Sequence, residues 1–346
     1  MNRLPGEFEE QRAVVMLFPS RNDVWRYECG PIRESMVALA NTLSKYVPVI
    51  MGVLPELMDV ARGYEFLPGV RLVEMPYNDC WARDTVSSVV KGDTEYISAL
   101  KFNAYGGELY TPWDDDERLD HVMSDIFGYP VKECPLTLEG GNIVPDGNGT
   151  LFAVKDAIVN DNRNPGFTEE EIERLLLEAT ASKQLIWIEE GLGGDETGGH
   201  VDNVLVMADP HTILLSYTDD PENPHYKVTH EIDAQLRAVR NVDGEPYDII
   251  HVPVPPFYYR TADDSDTIVD ETGAFLRKEG DVVLETYINV ALSNGVVVVP
   301  QYGYELDKEA LRVFGQAFPD RDIIPLYGRE ASLGGGGFHC LTKHIH

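Results

Sequence analysis

The stretch GGGGFHCLTKHIH (334–346) sets four glycines directly before Phe338, His339 and Cys340. Glycine gives up more backbone entropy on folding than any other residue. A run of four is therefore expected where the backbone must approach a group closely or aim its amides at one. A thiol in that position is a candidate nucleophile, because it ionises and attacks once its pKa falls below the free value of about 8.5. A buried cysteine behind a flexible turn is the competing reading, and the stretch alone leaves both open. HCLTKHIH has ligand-type residues but not the spacing of a zinc site, and His344 and His346 are expected to be solvated.

Outward from this stretch, 346 residues are enough to bury a large core. No run approaches the roughly 18 uninterrupted apolar residues of a membrane helix. The first residues, MNRLPGEFEEQRAVVMLFPS, become acidic before they become apolar and show no small-residue cleavage signal, which predicts a cytoplasmic protein. Against 28 basic residues stand 59 acidic ones, a net charge of -31. Such a surface repels nucleic-acid phosphates and draws small cations, although solubility alone also accounts for it. Cysteines at 29, 80, 134 and 340 lie far apart without a CxxC pair, unlike a stapled secreted scaffold.

Helical and strand periods alternate along the chain. IRESMVALANTLSKY (32–46) places Ile32, Met36, Leu39, Ala40 and Leu43 on one helical face, and VPVIMGVL follows as a strand. TEEEIERLLLEATASK begins with Thr168 and Glu171 at capping-box spacing and leads into the strand QLIWI. DKEALRVFGQAF (307–318) predicts a third amphipathic helix, between the strands GVVVVP and DIIPLY. RLVEMP, TLFAVKD, NVLVMADPHTILLSY and DVVLETYINVAL complete an α/β pattern. The polar stretches 217–235 and 257–275 read as long surface excursions. No linker divides the sequence, so residues 1–346 are expected to form one catalytic domain, and neither GxGxxG after a strand nor a P-loop occurs.

Three further segments carry polar residues beside glycines or strands. In DETGGHVDNVLVM, strand alternation would send His200 and Asp202 to one side, where an imidazole can protonate a leaving group and later activate water. LTLEGGNIVPDGNGTLF presents Glu139 before two glycines, and YNDCWARDTVSSVV presents Asp84 beside Arg83 and Trp81. Each carboxylate alone is a weak signal. Several acids around one thiol would repel an anion but match the N–H fork of a guanidinium.

These motifs together resemble the agmatine deiminase branch of the guanidine-modifying, or pentein, superfamily, which is related to bacterial peptidylarginine deiminases. The likeness runs in order through NDVWR (22–26), NDCWARD (78–84), FNAYGG (102–107), LEGGNI (138–143), DETGGHVDN (195–203), SNGVVVVP (293–300) and GGGGFHCLT (334–342). It implies an α/β propeller of five pseudo-symmetric units around a central site. It makes Cys340 the nucleophile, His200 the acid/base, Glu139 the carboxylate that binds guanidinium and supports the histidine, and Asp84 with Asp202 the pair gripping the guanidinium nitrogens. Trp81 and Glu196 become pocket residues toward the tail of the substrate, with Asp195, Arg83 and Gly337 as further substrate-binding candidates. The implied reaction is covalent hydrolysis through a thiouronium, with no metal or organic cofactor, most directly of agmatine to N-carbamoylputrescine; the implied assembly is a homodimer. Arginine, a peptide-terminal arginine or another alkylguanidine are the alternative substrates, with amidino transfer or cation binding without turnover as alternative functions. This sequence departs from the family pattern at Val86 to Ser88 (usually GPT), at Gly198 (usually aspartate), at Gly337 (usually asparagine), at Lys343 (usually glutamine) and in MLFPS.

Overall fold

A computed structural model describes residues 2–271 and 273–346. Among them, one pattern of strands recurs in five sheets: a short strand pairs antiparallel with a buried one, and a crossover helix then brings a third strand in parallel. Parallel neighbours need such a crossover, which explains the alternation of helix and strand periods. In the unit starting at Val89–Val90, the strand Tyr96–Lys101 is followed by the helix Leu119–Phe127 and the strand Val131–Thr137. The next runs Val144–Pro145, Thr150–Val154, helix Glu169–Thr180 and Gln184–Ile188. Leu205–Asp209, Thr212–Tyr217, helix Tyr226–Ala238 and Asp248–Pro253 form another. Ala291–Ser293, Val296–Gln301, helix Leu306–Ala317 and Asp322–Tyr327 form the one before the C-terminal segment.

The remaining sheet joins both ends of the chain. Lys343–Ile345 lies antiparallel to Ala13–Leu17, with Ala13 opposite Ile345 and Val15 opposite Lys343. Helix Gly30–Leu43 then leads to Val49–Val53 and Val70–Glu74 in parallel. The C-terminal strand thus supplies the antiparallel member of the unit begun at the N-terminus, as a five-unit propeller requires.

Burial follows this order. Ala13–Leu17 and Thr150–Val154 are buried at every position, whereas Val70–Glu74 and Asp322–Tyr327 are partly exposed along their length. The apolar runs therefore read as continuous rather than alternating, with each fully buried Val, Leu or Ile stabilising by roughly 1.5–3 kcal/mol before entropy is counted. The capping box of Thr168 and Glu171 forms as expected.

Several expectations need correction. The helix predicted over 32–46 begins two residues earlier and ends at Leu43. DVVLETYINVAL is not one strand: only Val282–Val283 and Ala291–Ser293 pair, and the segment between them turns inward. Half of the excursion 217–235 is helix, because Val228, Ile232 and Leu236 share an apolar face. In the excursion 257–275, Thr272 lies outside the described residues. His344 is buried rather than solvated, since the terminal segment is a strand against Ala13–Leu17. All four cysteines are free. Among the described residues, no helix is long and apolar enough to cross a membrane.

Candidate active site

In each unit, the segment just before the short antiparallel strand carries polar residues into one cluster. Asp84 precedes Val89–Val90, Glu139 precedes Val144–Pro145, and His200 with Asp202 precedes Leu205–Asp209. Asn289 precedes Ala291–Ser293 and Cys340 precedes Lys343–Ile345. His200 and Asp202 do share a side, but through a 3-10 turn over Val201–Asn203 rather than strand alternation.

Gly141 locates the convergence. A Cβ there would stand 2.8 Å from Asp84 Oδ1, 2.8 Å from His200 Nδ1 and 2.9 Å from Asp202 Oδ2. Only glycine lets the three groups come so close, and its own N–H donates to Asp84 Oδ1 at 2.8 Å. Tyr105 donates to the other Asp84 oxygen at 2.9 Å. Burial, with the charges of Asp202 and Glu139 nearby, pushes the Asp84 carboxyl up to about 6, against the opposing pull of His200.

The His200 ring lies between two acids, with Nδ1 3.8 Å from Asp84 Oδ1 and Nε2 3.5 Å from Glu139 Oε2. Burial would lower its pKa, but Glu139 and Asp84 outweigh burial and raise it to about 9. Glu139 is itself fully buried and is held by Arg163, whose Nε donates to Oε1 at 2.8 Å and Oε2 at 3.0 Å. Burial acts to raise the Glu139 carboxyl, yet Arg163 and His200 bring it below its usual value.

Cys340 Sγ lies 3.5 Å from Asp202 Oδ2 and 3.3 Å from Asn289 Nδ2. Asn289 Oδ1 in turn accepts from the backbone N–H of His339 at 3.0 Å and of Cys340 at 3.3 Å. Burial pushes the thiol well above its usual pKa, Asp202 and Asp84 push it further, and Asn289 opposes them. The glycine run meets aromatic and polar walls: a Cβ on Gly336 would stand 2.6 Å from Trp81 Cζ3, and Trp81 packs 5.6 Å from Trp25. Among the described residues, both His200 ring nitrogens and Asp202 Oδ1 are buried without a hydrogen-bond partner, so the cluster holds polar atoms that a ligand can engage.

The other candidates lie at its margins. Both Asp195 oxygens are spent within their own loop, on Thr197, the His200 backbone and Asn203. Glu196 is paired with Arg277 at 2.5 Å. Arg83 is engaged by Glu7, by His344 Nδ1 at 3.0 Å and by the His339 carbonyl. Gly198 is exposed, with the nearest atoms to a Cβ there on Ala157 and Arg163, each at 3.9 Å. The sequence reading missed Arg163, Asn289, His339 and Glu7. Arg163 follows Asn162 in a turn without periodicity, and Asn289 hides in a run that reads as a strand.

The Porphyromonas-type peptidyl-arginine deiminase family model matches residues 3–345. Agmatine deiminase of Pseudomonas syringae pv. tomato is 33% identical over 98% of this chain and 94% of its own length. Agmatine deiminase of Pseudomonas fluorescens is 32% identical over the same shares. The solved structure of agmatine deiminase of Enterococcus faecalis superposes with a TM-score of 0.95 at 30% identity, over 99% of this chain and 95% of that one.

Proposed function

The chain belongs to the Porphyromonas-type peptidyl-arginine deiminase family, within the pentein superfamily, and is a guanidino-group hydrolase; from that premise we propose that its substrate is agmatine, released as N-carbamoylputrescine and ammonia. The observation that carries the reading is the convergence of Asp84, His200 and Asp202 on one point at Gly141, with the Cys340 thiol 3.5 Å from Asp202. Three acids and a thiol suit a planar cation.

Asp84 and Asp202 grip the guanidinium nitrogens while Glu139, braced by Arg163, holds His200. The entering cation offsets the carboxylates that keep the thiol protonated, and the thiol loses its proton to solvent. Sγ then bonds to the guanidinium carbon. As the carbon–nitrogen bond breaks, the His200 imidazolium gives its proton to the departing ammonia, leaving a thiouronium. Neutral His200 takes a proton from water, the hydroxyl adds to carbon, and the carbon–sulfur bond breaks. The hydroxyl proton returns to the thiolate, and the ureido product leaves.

Trp81 packs along the aliphatic tail. Glu196, whose charge is shared with Arg277, faces the amine end. Arg83 and Asp195 act as braces rather than substrate contacts, because their polar atoms are already engaged, and Gly337 gives room to Asn289. We read the chain as one catalytic domain over residues 1–346, cytoplasmic and homodimeric.

The test incubates the protein and Cys340→Ala with agmatine, arginine, an arginine-terminated peptide and a simple alkylguanidine, with ammonia and ureido product measured separately. Agmatine-selective release, lost in the variant, is expected. Preference for arginine would move the substrate assignment, and no product from any of them would overturn turnover of this panel.

A further inference from the structure

The buried His339 ring faces a carboxylate at each nitrogen: Nδ1 lies 2.7 Å from Asp202 Oδ2, and Nε2 lies 2.8 Å from Glu7 Oε2. A neutral imidazole has one N–H and one lone pair, and a lone pair at hydrogen-bond distance from a carboxylate is repelled. Both contacts are satisfied together only by the imidazolium. Glu7 comes from the N-terminal segment, and its other oxygen is bound by Arg83. Asp202, on the far side, has its Oδ1 buried and without a hydrogen-bond partner, while Oδ2 lies 3.5 Å from the Cys340 sulfur.

Resting on the guanidine-hydrolase reading, we propose that Glu7 is a positioning residue for the substrate: it holds His339 doubly protonated, so that the His339 Nδ1–H fixes Asp202 by Oδ2 and leaves Oδ1 free to accept from the guanidinium. Positive and negative groups then alternate through the site, from Arg83 to Glu7, His339, Asp202, substrate, Glu139 and Arg163. Each buried charge has an opposite neighbour, which is the condition under which buried charges are tolerated.

The other groups around His339 are accounted for. Burial and Arg83 act to lower its pKa, while Glu7 and Asp202 outweigh them and raise it. His344, 6.3 Å away between ring centroids, is pushed down to about 3, chiefly by burial, and so stays neutral to accept from Arg83. Because the His339 pKa is raised above its ordinary value, the brace is complete below that ordinary value and is lost as pH rises through the raised one.

Nitrogen-15 NMR of the histidine rings in the wild-type protein, with His339 assigned by His339→Gln, is the first measurement. Two protonated nitrogens on His339 at pH 7 are expected; a neutral ring would overturn the proposal whether or not any variant folds. Glu7→Gln is expected to release that proton at lower pH and to raise KM for the guanidine that the wild type turns over about tenfold, the loss of one charge-assisted hydrogen bond, with kcat changed less. The alkaline limb of kcat/KM should move to lower pH. An unchanged KM and pH profile in a folded Glu7→Gln protein would reduce Glu7 to a structural contact. If the wild type turns over no guanidine, the functional reading fails, and the NMR titration still decides the brace.

Discussion

Asn289 and Gly337 compete for one volume: a Cβ on Gly337 would stand 2.8 Å from Asn289 Cγ and 2.9 Å from Asn289 Cβ. Gly337 is where the family pattern usually has asparagine, so the resemblance alone would rate Gly337→Asn as a harmless reversion. The structure says otherwise. Any side chain there displaces Asn289, which holds the Cys340 and His339 amides and approaches Sγ. Gly337→Asn should lower kcat/KM by at least about tenfold and cost about 1–3 kcal/mol of stability through overpacking. Steady-state kinetics and urea unfolding on one preparation check both, and full activity would show that Asn289 has room to move.

The resting charges of the site give a second prediction. With His200 raised to about 9 and the thiol pushed well above its usual value, the free protein at pH 7 holds an imidazolium and a neutral thiol. Alkylation of Cys340 by iodoacetamide should therefore be slow at neutral pH and accelerate only on the alkaline side. Turnover should fall above about pH 9, as His200 loses the proton it must give to ammonia. Asn289→Leu removes the amide donor that favours the thiolate, so the alkylation profile should move to still higher pH. A profile centred near pH 7 would mean a preformed thiolate and a different first step.

What the sequence disclosed follows from where the information is local. Cys340, Glu139 and His200 stand beside glycines that the close approach at Gly141 and Gly336 requires, and such pairs survive as motifs. The helix begun by Thr168 was legible because a capping box is a three-residue signal. Glu7 was not legible, since nothing in GEFEEQR tells one acid from its neighbours until the N-terminal segment is laid against Arg83 and His339. His344 was misread for the same reason: its burial depends on pairing with a strand more than 300 residues earlier in the chain. Arg163 and Asn289 acquire their partners only when separate units meet at the centre.

Two departures from the family pattern meet each other. Buried Lys343 donates from Nζ to the Oγ of partly buried Ser88 at 2.9 Å, and the same Nζ would stand 3.0 Å from a Cβ on Gly140. Burial, then the charge of Arg83, lowers the Lys343 pKa from 10.5 to about 7, against Glu7, Asp120 and Asp84, which favour the ammonium. The sign follows from linkage. Below about pH 7 the folded protein must bury the full ammonium, and as pH rises from 7 toward 10.5 the folded lysine is neutral while the unfolded one loses its proton. The penalty is therefore greatest in acid and fades in base. Lys343→Gln should stabilise the protein at pH 6, by up to a few kcal/mol at about 1.4 kcal/mol per pKa unit, with the gain shrinking toward pH 10. Urea unfolding at pH 6, 8 and 10 reads this directly. An equal gain at every pH would mean that the lysine does not titrate, and a loss at pH 6 would show that Glu7, Asp120 and Asp84 need its positive charge more than burial opposes it.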